Sequence, residues 1–342
     1  MTGSLTILQA GPALSLQDLG RPGFLAQGLT RGGASDPTAL YEGAALLRQP
    51  ANNAVIEMAG TGGSFRSDTD IRIAMTGATM AANIDGEPLI WNASHLLPAG
   101  ATLTIGGAQN GSYGYLHVGG GFATKPQMGS RASHLSAGLG HALKSDDTLP
   151  VGKDGGKDTG MTLPANPRFG GGVARVVASM QTDAFAAETR DRFIQTPFKR
   201  DSRANRMGVR MDHDGAGFST DGQLSIVSEV IVPGDIQITG DGAPFVLMCE
   251  CQTTGGYPRI GTVIPCDLPR IAQAQTGAAI RFEFIEMDQA VALQLRYLKD
   301  LKTLASSVTP LVRDPANIRD LLSYQLIGGV VSAGANPFKE EL

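Results

Sequence analysis

The chain has 342 residues, a length that suggests about two ordinary domains. Its 28 Lys plus Arg against 32 Asp plus Glu leave a net charge of −4, which argues against nucleic acid or an anionic membrane as an electrostatically held partner. Hydrophobic residues at 42% and charged residues at 18% match neither a disordered nor a membrane composition. Forty-five glycines among 342 residues are nearly twice the average share of about 7% and point to a turn-rich, mainly β protein.

In chain order, strand-length β-branched or alternating runs occupy residues 4–8, 71–75, 102–105, 113–118, 173–179, 245–249 and 279–285, each between Gly, Pro and Asp punctuation. Asp36-Pro37 supplies an N-cap acceptor before a proline at the first helical position, and Leu40, Ala44 and Leu47 then share one face. Further helices are expected over 183–193, over 287–305 with Val291, Leu295, Leu298 and Leu301 at helical spacing, and after Asp314-Pro315. Residues 152–158 contain no apolar side chain, so a domain linker is placed near them. Residues 85–90 match 241–246 in type and order, and each copy holds an Asp-Gly hairpin signal. Residues 99–105 and 276–282 repeat the echo, which predicts two related halves.

Cys249, Cys251 and Cys266 are too few and too clustered for a disulfide framework, so a reducing compartment is expected. No window approaches the ~18 apolar residues of a membrane span, and residues 1–20 lack the basic start of a secretory leader. A cytoplasmic location is the expectation. The five histidines are dispersed: His117 alternates with apolar residues and reads as packed, and His213 as part of a solvated turn. No metal site is expected, because structural zinc requires four ligands and the cysteines have no histidine near them in sequence.

The most unusual segment is Gln252-Thr253-Thr254-Gly255-Gly256-Tyr257-Pro258-Arg259. Hydroxyl and amide groups collect there around two glycines that let backbone N–H groups approach a ligand, and Arg259 offers a fork suited to a carboxylate or phosphate. A hairpin loop with solvated polar residues is the plainer alternative. Asp18 and Arg21 read either as a salt bridge that fixes a Gly-Pro turn or as a proton carrier and a carboxylate clamp. Arg206, after Asn205, carries the same ambiguity. The chain has no phosphate-binding Gly-x-x-x-x-Gly-Lys-Ser/Thr loop, Gly-x-Ser-x-Gly elbow, His-Glu-x-x-His pair or Met-Lys-Met biotin site.

Residues 252–259, together with 17–23 (Gln-Asp-Leu-Gly-Arg-Pro-Gly), 32–36 (Gly-Gly-Ala-Ser-Asp), 128–130 (Met-Gly-Ser) and 205–208 (Asn-Arg-Met-Gly), resemble the family of the 5-oxoprolinase C component. That family also includes the second component of allophanate hydrolase, the KipI antagonist, and the carboxyltransferase domain of urea carboxylase. Glu250 stands where its pattern has Asp, the loop after Arg131 is shortened to 138–143, and Val230 falls where glycine is common.

The resemblance implies a mainly β fold with a few helices, built as two cyclophilin-like β-barrel domains related by internal duplication. They would occupy 1–150 and 165–285, with a helical extension over 286–342. It also implies one component of an ATP-dependent complex that opens 5-oxoproline to glutamate, with a 5-oxoprolinase B component or KipI-like protein as partner and possibly an A component. Mg-ATP would serve that complex. The alternatives are a biotin-dependent carboxyltransferase acting on urea or a related amide, with biotin on another chain, and a non-catalytic KipI-antagonist module. Asp18, Asp36, Thr253 and Thr254 are the expected catalytic residues; Arg21, Asn205, Arg206, Gln252, Gly255, Gly256, Tyr257 and Arg259 are the expected substrate-binding ones.

Overall fold

The computed structural model describes residues 3–220 and 228–312, so the helix expected after Asp314-Pro315 lies outside the described residues. The first nine strands are β1 (Ser4–Ala10), β2 (Ser15–Gln17), β3 (Val55–Ala59), β4 (Gly63–Ser67), β5 (Ile71–Ile84), β6 (Glu87–Pro88), β7 (Ser94–Leu97), β8 (Thr102–Val118) and β9 (Thr148–Pro150). They form one sheet in the order β2-β3-β8-β4-β1-β9, with β5 paired to β6, β7 and β8. Long antiparallel pairing of β5 with β8, from Ile73↔Val118 to Ile84↔Leu103, is interrupted by register shifts after Gly77, which bend the strands as bulges do.

The short strands β10 (Met161–Thr162) and β20 (Thr309–Pro310) pair with each other. A closed barrel follows from β11 (Gly172–Val177), β12 (Phe198–Arg200), β13 (Gly208–Asp212), β15 (Asp235–Ile238), β16 (Pro244–Leu247), β18 (Arg259–Val263) and β19 (Ala279–Phe284), in the order β11-β18-β15-β16-β13-β12-β19. Closure leaves it no free edge. Outside it, β14 (Glu229–Val230) pairs with β17 (Thr254–Gly255). The chain is thus mostly β, as its composition predicts.

Both Asp-Gly hairpins form. Asp85 and Gly86 take φ values of +48° and +94°, the doubly positive pattern of a tight hairpin turn between β5 and β6, and Asp241-Gly242 joins β15 to β16. The downstream echo does not extend to pairing: residues 102–105 lie in β8 against β5 and β4, whereas β19 pairs with β11 and β12.

Helix α1 (Pro37–Leu47) starts at the expected proline, but nine of its eleven residues are buried, so it is a core helix. Asp36 makes no side-chain cap bond. Its fully buried carboxylate instead accepts from Arg168 Nε at 2.6 Å and Gln273 Nε2 at 2.8 Å. Arg168 then clamps Glu42 of α1 with two bonds of 2.7 Å. The helix expected from residue 183 begins later, as α2 (Ala187–Gln195), after a short 3-10 turn over Thr182–Ala184. Helix α3 (Leu268–Gln273) precedes β19, and α4 (Met287–Thr303) follows it. The expected stripe of α4 is divided: Leu301 is buried, while Val291, Leu295 and Leu298 are exposed among the described residues.

The barrel core centres on Phe193 of α2. Its ring stacks on Phe282 at 5.1 Å and meets Phe218 edge-on at 5.6 Å, the offset and T-shaped geometries that aromatic quadrupoles favour. The same apolar cluster runs through Tyr113 and Tyr115 of β8 and Leu40 of α1, so the sheet and the barrel share a core. Residues 152–158 do not hang free: Asp154 takes two bonds from Arg72 of β5, at 2.8 and 2.6 Å. Among the described residues no helix is long and apolar enough to cross a membrane.

Candidate functional site

Two glycine-bearing loops of the first half meet a turn of the barrel. Residues 18–21 and 31–34 lie backbone against backbone, with Arg21 N–H on the Arg31 carbonyl and Ala34 N–H on the Asp18 carbonyl, both at 2.9 Å. Gly20 and Gly33 have φ values of +79° and +83°, and a Cβ on Gly33 would stand 2.7 Å from Gly20 N. Only glycine permits that approach. Gly32 N–H then donates to the Cys249 carbonyl at 3.1 Å, which ties the loop to the segment after β16.

Beside this junction opens a cleft of about 340 Å³ whose walls include Thr30, His134, Ser136, Met207, Glu250 and Gln252. His134 is its central titratable group. Thr30 Oγ1 donates to the Cys251 carbonyl at 3.1 Å and lies 2.9 Å from His134 Nε2. With the hydroxyl proton engaged, that contact requires Nε2–H as donor. Nδ1 is then the acceptor for the Ser136 hydroxyl, 3.1 Å away. Burial lowers the His134 pKa, Glu250 opposes the shift, and Arg21 and Arg206 reinforce it. The ring is neutral at pH 7 and polarises an exposed serine hydroxyl.

Arg21 is buried near His134 and is 1% exposed. A Cβ on Gly32 would stand 2.9 Å from His134 Cδ2 and 3.6 Å from Arg21 Nη1. Arg21 Nη2 donates to the Ala132 carbonyl, whereas Nε and Nη1 have no partner among the described residues. Burial lowers its pKa, with Asp18 and Glu250 acting against that shift, and a guanidinium keeps its charge under such conditions. A fixed positive charge therefore lies buried close to His134, although Arg21 does not itself line the cleft.

Arg206 reaches across the junction. Its Nε donates to Glu250 at 2.6 Å, Nη2 to the Gly33 carbonyl at 2.6 Å, and Nη1 to Ser35 Oγ at 3.0 Å and to Glu57. It is a clamp between β3, the 32–36 loop and the barrel, so its guanidinium is committed to protein groups rather than open to substrate. Asn205 has a local role: its Oδ1 accepts from Met207 N and Gly208 N at 2.8 and 3.3 Å.

Other expected site residues are also bonded to protein groups. Asp18 is not paired with Arg21; its carboxylate accepts from Gly20 N, Ser130 Oγ and Arg131 N at 2.8, 2.6 and 2.7 Å, and so organises the loop. Asp36 is sealed in the Arg168 network described above. Arg259 donates to Glu229, to the Val230 carbonyl at 3.0 Å and to Asp235 at 3.3 Å, so its fork is filled by protein acceptors. Gly255 gives clearance, since a Cβ there would stand 2.5 Å from Gln237 Nε2.

Of the 252–259 segment, Gln252 lines the cleft, and Thr253 Oγ1 is 4.0 Å from where a Cβ on Gly28 would be. Thr254, Gly256 and Tyr257 are exposed. The segment therefore touches the cleft at its first residues and leaves it by Arg259. Sequence reasoning missed Thr30, His134 and Ser136. The signal was the position of His134 four residues after the Met-Gly-Ser motif.

The cysteines are free thiols held in their protonated form. Burial raises Cys249 to about 11, Cys251 to about 12 and Cys266 to about 11. Among the described residues no three His, Cys, Asp or Glu side chains converge as a metal site.

Residues 27–284 match the family described as carboxyltransferase domain, subdomain A and B. The chain is similar to the 5-oxoprolinase C component of Escherichia coli, 33% identical over 305 residues that cover 87% of this chain and 97% of that one. It is also similar to the 5-oxoprolinase C component of Haemophilus influenzae, 30% identical over 307 residues, 88% of this chain and 98% of the relative. The solved urea amidolyase of K. lactis superposes with a TM-score of 0.77 at 20% identity over 91% of this chain, which spans only 21% of that larger protein. With most of its length matched at this level, the chain belongs to the family of the 5-oxoprolinase C component and the carboxyltransferase domain.

Proposed function

We propose that this chain is the C component of a complex that opens 5-oxoproline to glutamate at the expense of ATP, and that the His134 cleft receives the lactam. The observation that carries this reading is a neutral imidazole lining a cleft of small-molecule size, with a buried, incompletely bonded guanidinium close to it. The 5-oxoprolinase relatives, matched almost end to end, support the complex. The lactam carries a carboxylate, which the nearby charge of Arg21 favours.

Ring opening adds water to the carbonyl carbon, breaks the C–N bond and leaves the nitrogen protonated. His134 Nδ1, which accepts a hydrogen bond from the Ser136 hydroxyl at rest, is the group able to accept and return a proton. Glu250 stabilises an imidazolium, and Gln252 offers amide donors and acceptors at the wall. Among the described residues no three His, Cys, Asp or Glu side chains converge as a metal site, and the sequence has no phosphate-binding Gly-x-x-x-x-Gly-Lys-Ser/Thr loop to hold a nucleotide. The reading therefore assigns nucleotide to another component of the complex.

The test is reconstitution with the A and B components of 5-oxoprolinase, measuring ATP-dependent glutamate formation. His134→Gln should lower kcat by about 10²–10⁴ while the assembled chains still co-elute. Full activity with His134→Gln would reject the assignment of the cleft. No activity from any wild-type combination, with carboxylation of urea by a carboxybiotin carrier instead, would favour the carboxyltransferase reading that the family description supports.

A further inference from the structure

A second cavity, of about 600 Å³, opens where β8 meets the barrel and shares no lining residue with the His134 cleft. Gly60, Ser112, Tyr113, Arg200 and Thr276 are among its walls. Arg200 ends β12 and is only 8% exposed. Its Nη1 donates to Thr276 Oγ1 at 3.2 Å. Among the described residues its buried Nε meets no acceptor, and no carboxylate pairs with the guanidinium.

Arg21 shares this isolation, whereas three other inward-facing arginines are matched by carboxylates. Arg72 has Asp154, Arg168 has Asp36 and Glu42, and Arg206 has Glu57 and Glu250. The acid next to Arg200 in sequence, Asp201, is taken by Arg203 and Arg210. A buried guanidinium without a counter-charge is unfavourable. Burial accordingly lowers the Arg200 pKa, with Tyr113 and Asp201 opposing the shift. Such a cost persists without penalty to the assembled protein when a ligand supplies the missing charge.

We propose that this cavity is a second, anion-binding site, in which Arg200 holds the carboxylate or phosphate group of a small molecule. The guanidinium fork suits either oxyanion, and the volume lies within the range of small-molecule pockets, about 300–1,000 Å³, leaving room for the body of the ligand. The inference does not depend on the reading of the His134 cleft.

The experiment titrates the purified full chain with inorganic phosphate and, separately, with acetate in HEPES at constant ionic strength, by calorimetry and by thermal denaturation. The expected result is saturable binding of at least one anion with a rise in melting temperature, weakened at least tenfold in Arg200→Gln and retained in Arg21→Gln. Preference for phosphate or for acetate identifies the ligand group. If Arg200→Gln does not fold, Ala108→Glu, which places a carboxylate in the same cavity, should abolish the response while keeping the wild-type circular dichroism. Absence of saturable binding by either anion, or unchanged affinity in Arg200→Gln or in folded Ala108→Glu, would overturn the proposal.

Discussion

Arg206, in the loop before β13, extends its guanidinium to the carboxylate of Glu57 on β3, 149 residues away in sequence. The same group holds Glu250 at 2.6 Å, so two buried carboxylates from opposite sides of the junction depend on one cation. Burial opposes the charge of Arg206, yet Cys249, a thiolate at the high pH where a guanidinium titrates, and the two carboxylates together hold its pKa well above the ordinary range of its side chain.

Removing that cation leaves two carboxylates without it. Arg206→Ala is therefore expected to lose about 3–5 kcal/mol of stability, the usual result of breaking a buried pair from one side. Urea denaturation measures it. A loss below about 1 kcal/mol would mean that Glu57 and Glu250 find water or other donors.

Arg259 is predicted to act on stability more than on turnover. Asp235 is 2% exposed and Glu229 is 46% exposed, so Arg259→Ala should destabilise by about 1–3 kcal/mol through its buried acceptor. In the reconstituted complex kcat should change by less than about threefold. A fall in kcat of about a hundredfold with unchanged stability would return Arg259 to the substrate.

His117 predicts an acid dependence. Its imidazole is buried against Gly43, bonded to Thr76 Oγ1 at 2.8 Å, and burial lowers its pKa to about 3. A histidine lowered in the folded state contributes stability that is present above its unfolded value, ~6.5, and is lost as pH falls toward 3. The slope from this group approaches about 1.4 kcal/mol per pH unit. Chemical denaturation at pH 7, 6, 5 and 4 should show it in the wild type and show a flatter profile in His117→Gln; equal profiles would place the acid sensitivity elsewhere.

The thiols should be slow. With Cys249, Cys251 and Cys266 raised to about 11, 12 and 11, their thiolate fractions at pH 8 fall well below that of free cysteine. Reaction of the native chain with an aromatic disulfide reagent is expected to be about a hundredfold slower than that of free cysteine. A fast phase of one equivalent would identify a thiol exposed by local opening.

The sequence by itself determined the features that depend on neighbours along the chain. Asp85-Gly86 turns because those residue types tolerate positive φ, α1 begins where proline removes an N–H that needs no partner, and the β-branched runs at 71–75 and 279–285 become strands. The order of the glycine-rich motifs was enough to identify the family. Sequence also marked Arg21, Arg206 and the start of the 252–259 segment as belonging together, through the resemblance rather than through spacing.

The tertiary structure alone decided which polar residues are tied up and which remain open. Arg21, Arg200, Arg206 and Arg259 carry the same guanidinium, yet Arg206 and Arg259 are filled by carboxylates and Arg21 and Arg200 retain unmatched N–H groups. Those partners come from residues 24 to 149 positions distant, and no local pattern reports them. His134 was illegible for the same reason. Its tautomer follows from Thr30, 104 residues away in sequence, and from the Cys251 carbonyl that engages the Thr30 hydroxyl; its neutrality follows from burial. Charge, burial and hydrogen bonding act through space, so only the closed fold fixes which side chain has a proton to move.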